Sequence, residues 1–110
     1  MTTPSTPPPH SAWYTKLVAA RVAVDKAAAD TALAADELRR YQKFARPGQP
    51  SAHIVQLRQK QAAARQASAQ AKQAFLKAAM EVAREAGLTP PPRVPLETFM
   101  RGWMDAQPAA

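Results

Sequence analysis

Residues 38–60 read LRRYQKFARPGQPSAHIVQLRQK. The segment holds six Lys or Arg and no Asp or Glu. Its reading decides the fold, because it joins the end of one helical pattern to the start of another. Pro47 disfavours helical backbone at Arg46, so the first helix is expected to end there. PGQP (47–50) supplies the turn, and Ser51 is a suitable N-cap for a second helix.

Upstream, Ala12 to Ala45 contains no Pro or Gly and is dense in Ala, the best helix former. Leu17, Ala20, Val24, Ala27, Thr31, Ala34, Leu38 and Tyr41 recur at alternating steps of three and four. Downstream, Ile54, Leu57, Gln61, Ala64, Ser68, Ala71, Phe75, Ala78 and Val82 do the same. Each is a seam of period 3.5, the spacing of helices packed along their length. Gly87 and Pro90–Pro92 stop the second helix. The expected helices are 12–45 and 52–87, with a turn at 46–51. Two long helices joined so tightly must run antiparallel. The expected fold class is all-α: an antiparallel two-helix hairpin, Ala-rich and coiled-coil-like, over residues 11–88. Thr31, Gln61 and Ser68 are polar seam positions that set register at some cost in stability.

The flanks differ. Residues 1–10, MTTPSTPPPH, carry four prolines and read as a disordered tail. Residues 89–110 read as a Pro-rich linker and a short amphipathic helix at 95–104. Leu96, Phe99, Met100, Trp103 and Met104 would share one face, and Gly102 weakens it. PPPRVP (90–95) holds a bare P-x-x-P pattern, for which a plain linker is the preferred reading.

The chain of 110 residues carries fifteen Lys+Arg against eight Asp+Glu, a net +7. No acid lies between Glu37 and Glu81. A hairpin turned at PGQP would gather Arg39, Arg40, Lys43, Arg46, Arg58, Lys60 and Arg65 at one end. Arg58, Arg65 and Lys72 recur every seven residues, giving a basic stripe on the second helix. The helix dipole favours cations in the last turns of helix 1, which accounts for Arg39, Arg40, Lys43 and Arg46. It disfavours them in the early turns of helix 2, where Arg58, Lys60 and Arg65 lie. Those eight residues, Lys72 included, are the expected polyanion-binding set, with nucleic acid the first candidate. Tyr41 and Phe44 could stack on bases, although hairpin packing is preferred for both.

Apolar surplus gathers at the opposite end. Trp13, Tyr14, Val18 and Val22 on helix 1, with Leu76 and Met80 on helix 2, exceed what one seam needs. Either the C-terminal helix or another chain must cover them. The expected partner surface is Trp13, Val18, Val22, Leu76, Met80, Leu96, Phe99, Met100 and Trp103. The expected partner is a second copy, forming a dimer, or a helical protein.

Enzymatic chemistry is not expected. There is no Cys, hence no disulfide, thiolate site or thiol nucleophile. His10 and His53 are remote in sequence, and no phosphate-cradling Gly-rich loop exists. Glu81 and Glu85 could share a metal at one-turn spacing, but are better read as partners of Lys77 and Arg84. No catalytic residue, metal site, cofactor or small-molecule substrate is expected. No signal peptide or membrane-spanning segment is expected either, membrane association is disfavoured, and the location is taken as cytoplasmic. High Ala, Arg and Pro point to a GC-rich bacterial or phage genome.

The sequence therefore supports two readings. One is a self-associating basic hairpin that binds a polyanion through its turn end. The other is an adaptor subunit docking through its apolar end and C-terminal helix, with no nucleic-acid role.

Overall fold

The computed structural model describes residues 12–43 and 51–107; the Pro-rich tail, Ser11, Phe44, Arg46 and the PGQP turn lie outside the described residues. The described chain is all-helical, with α1 Ala12–Gln42, α2 Ala52–Ala86 and α3 Leu96–Asp105. α1 and α2 pack against each other. Contacts group into two units, Met1–Val22 with Lys72–Ala110, and Ala23–Ala71.

The ends of α2 follow from local chemistry. Ser51 Oγ accepts the Ile54 amide at 3.2 Å, satisfying one orphan donor of the first turn. At the other end Gly87 takes φ 67°, a conformation that costs an L side chain energy. The Leu88 amide then reaches back to the Ala83 carbonyl at 2.8 Å, and the Gly87 amide to Arg84 at 3.3 Å. This pair of bonds is a Schellman stop. The Val94 amide donates to the Pro91 carbonyl at 3.1 Å, closing a tight turn. That turn breaks the extended backbone a polyproline ligand needs, so PPPRVP acts as a connector. Pro95, at φ −59° and ψ 143°, forms the N-cap position of α3, and Glu97 lies in its first turn.

In the unit Ala23–Ala71, Val24, Ala27, Ala34, Leu38, Ile54 and Leu57 are buried. Leu38, Ile54 and Leu57 form a compact cluster of larger side chains there. Cross-helix contacts pair Thr31 with Ala64, Glu37 with Lys60 and Tyr41 with His53. Residue numbers rise on α1 as they fall on α2, so the chain directions are opposed. Thr31 Oγ1 lies 2.8 Å from the Ala27 carbonyl and 3.3 Å from that of Ala64. The polar seam position thus finds its acceptors without a polar partner side chain.

The other unit is better filled. Phe75, Leu17, Met100 and Val82, the largest fully buried side chains, all belong to it. Each contributes about 1.5–3 kcal/mol by leaving water. Here α3 lies on α1 and α2, burying Met100 and Met104. Ala79, Ala83 and Ala86 are buried beside the seam residues Phe75, Ala78 and Val82, so the apolar face of α2 widens in this unit. The Tyr14 and Trp103 rings meet edge to face at 5.9 Å, and the Arg101 guanidinium lies 5.6 Å from the Phe75 ring centroid.

Candidate polyanion-binding surface

The basic residues of the unit Ala23–Ala71 divide by whether an acid reaches them. Arg39 and Arg40 both approach Asp36, at 3.4 and 3.3 Å, one turn back on α1. Lys60 Nζ lies 3.1 Å from Glu37 Oε2 across the helix pair. Three of the expected cations are therefore offset by carboxylates that lie just upstream of the acid-free stretch. Pairing across the helices was invisible to a reading that counted charge along the chain. The opposed register, once known, brings position 37 beside position 60.

Lys43, Arg58 and Arg65 are exposed and make no ion pair among the described residues. Arg58 and Arg65 are seven residues apart on α2, a rise of about 10 Å. Lys72 continues the spacing and is also exposed and unpaired among the described residues, but belongs to the other unit. Arg46 lies outside the described residues. Exposed Gln56, Gln59 and Gln66 accompany the two arginines. Nearby, the Tyr41 and His53 rings meet at 4.3 Å in an edge contact, which partly occupies a ring that would otherwise be free to stack.

The expected partner-binding residues also divide. Met100 is fully buried within its own unit. Leu96, Phe99, Trp103 and Trp13 are half-buried there. Val18 and Leu76 stay exposed, and Val22 and Met80 more so, at 62% and 63%. α3 therefore docks on its own chain and leaves those four apolar side chains in solvent. A groove of about 540 Å³ lies alongside, between Met80, Ala83 and Arg84 of α2 and Leu96 of α3. Leu33 and Val55, which lie off the period-3.5 seams, are exposed apolar residues of the other unit.

No grouping of three or more His, Asp or Glu with metal-binding geometry occurs among the described residues. Glu85 approaches Arg84 at 4.0 Å. No helix is long and apolar enough to cross a membrane, among the described residues. Compared with known proteins, the chain matches no family model, no curated protein and no solved structure.

Proposed function

We propose that this chain is a non-enzymatic basic helical hairpin that binds a polyanion, nucleic acid first among them. The contact face is that of α2 carrying Arg58 and Arg65, with Lys43 beside the turn. The observation that carries this reading is the division of charge. Arg39, Arg40 and Lys60 have acid partners, whereas Lys43, Arg58 and Arg65 have none among the described residues. Like charges left uncompensated along one helix face repel one another, and an external anion relieves that repulsion. Guanidinium groups suit phosphate oxygens, which accept two parallel hydrogen bonds from one arginine. Arginine contacts to phosphate oxygens carry no sequence information, so binding through them is indifferent to sequence. Three phosphate contacts on duplex DNA give a salt slope of about −2.7.

The test is fluorescence anisotropy of a labelled duplex and a labelled single strand at ~50 mM salt. Arg58→Glu with Arg65→Glu should abolish binding while circular dichroism stays unchanged. Failure of the natural sequence to bind either probe overturns the proposal.

A second reading, an adaptor subunit, draws on the exposure of Val18, Val22, Leu76 and Met80 beside a docked α3. Under it Val22→Lys and Met80→Lys prevent assembly with a protein partner, and the arginine reversals are harmless. The expected role of α3 as a plug for another chain is weaker, since Met100 and Met104 are already committed to its own unit.

A further inference from the structure

In the unit Ala23–Ala71 an open groove of about 590 Å³ runs between α1 and α2. Alanines line both walls, among them Ala23, Ala27 and Ala34 on α1 and Ala63 and Ala67 on α2. Leu33 stands at its edge and is 67% exposed, the most exposed large apolar side chain among the described residues. The charged groups along the groove are balanced: Lys26 pairs with Asp30 at 2.8 Å and Lys60 with Glu37 at 3.1 Å. An anionic ligand has no unpaired cation to meet there. A neutral helix with a protruding apolar residue fits, because small side chains let helix backbones approach closely.

The α1 wall has its own symmetry. Ala23, Lys26, Asp30 and Leu33 follow one another at steps of three, four and three, hence share a face. Lys26 and Asp30 are equidistant from position 28, and so are Ala23 and Leu33. Two copies of α1 laid antiparallel about a two-fold axis at that level bring Lys26 of each onto Asp30 of the other. The same operation sets Leu33 of each copy against Ala23 of the other, over the alanine floor. Large meets small and positive meets negative, twice, from a single operation, as an isologous interface requires.

We propose that the occupant of this groove is α1 of a second copy of the chain, in a two-fold antiparallel dimer centred at position 28. Self-association here is independent of polyanion binding.

Sedimentation equilibrium of the nuclease-treated full chain tests it, at about 100 μM and about 0.3 M salt, where micromolar affinity gives mostly dimer and nucleic-acid bridging is suppressed. The expected mass is twice 11.9 kDa. Leu33→Glu should return it to the single-chain value without loss of helicity, since Leu33 is exposed. Lys26→Asp alone places four acids around the axis and should weaken the dimer at least tenfold. Lys26→Asp with Asp30→Lys keeps the pairing rule and should restore it. A monomeric natural chain, or a dimer that survives Leu33→Glu, overturns the proposal. So does failure of the charge swap to restore association with helicity intact. A dimer lost on Met80→Lys rather than Leu33→Glu assigns self-association to the other unit.

Discussion

Arg21 of α1 and Asp105 of α3, 84 residues apart in sequence, form a two-pronged ion pair, with Nη1 to Oδ1 at 2.7 Å and Nη2 to Oδ2 at 3.5 Å. It ties the C-terminal end of α3 to α1. Tyr14–Trp103 and Arg101–Phe75 supply further contacts from α3 to α1 and α2.

The Asp105 carboxyl is held below the usual carboxylate range by the hydrogen bond from Arg21, with the charges of Arg21 and Arg101 adding to it against partial desolvation. A carboxylate whose folded value is depressed contributes stability above its unfolded value and loses it as pH falls through the folded one. Acidification below about pH 4 should therefore loosen α3. Trp103 fluorescence in a Trp13→Phe background reads this directly. Asp105→Asn should show the loosened signal at neutral pH and no Asp105-dependent change on acidification.

Met100, on the face of α3 that packs on α1 and α2, is fully buried. Met100→Ala should cost about 2–4 kcal/mol, by lost transfer energy and the cavity left behind. Urea denaturation checks this, and near-ultraviolet dichroism of the aromatic contacts should fall with it.

Two glycines should respond to alanine in opposite directions. Gly87 lies at φ 67° with open space where a Cβ would go, so Gly87→Ala costs about 1–2 kcal/mol from backbone strain alone. Gly102 lies inside α3 with nothing near its would-be Cβ, so Gly102→Ala stabilises that helix by about 0.8–1 kcal/mol. Thermal melts of the two variants give the two signs.

Glu37 holds Lys60, and so competes with any polyanion for it. Glu37→Gln should free the ammonium and steepen the salt dependence of nucleic-acid binding by about one phosphate contact. Lys60→Ala should change affinity far less than Arg58→Ala. Equal losses from the two alanine variants would remove the distinction between paired and unpaired cations on which the proposed contact face rests.

Ser51 caps α2 with a single side-chain bond to the Ile54 amide. Ser51→Ala should cost about 1 kcal/mol. Hydrogen exchange should show the loss confined to the first turns of α2.

What the sequence determined by itself was local. Ala-rich runs without Pro or Gly specify helices, Ser51 starts α2, and Gly87 with the prolines after it stops it. These signals act within a few residues and need no tertiary partner. The seams were legible for the same reason: Leu17, Val24, Ala27, Ala34 and Leu38 on α1, and Ile54, Leu57, Phe75, Ala78 and Val82 on α2, are all buried. Tyr41 departs from the pattern and is exposed, with its ring against His53 near the end of α1.

Only the tertiary structure decided which charges cancel and where α3 goes. Glu37 and Lys60 are 23 residues apart, and Arg21 and Asp105 are 84 apart. Neither pairing follows from spacing along the chain, because each depends on the register of one helix against another. The amphipathic face of α3 could have met its own chain or a foreign one. Burial of Met100 and Met104 assigns it to its own chain, and leaves Val18, Val22, Leu76 and Met80 of that unit exposed. The basic stretch 38–60 carries less free charge than its composition implies. Packing sets carboxylates beside Arg39, Arg40 and Lys60, and none beside Lys43 or Arg58 among the described residues.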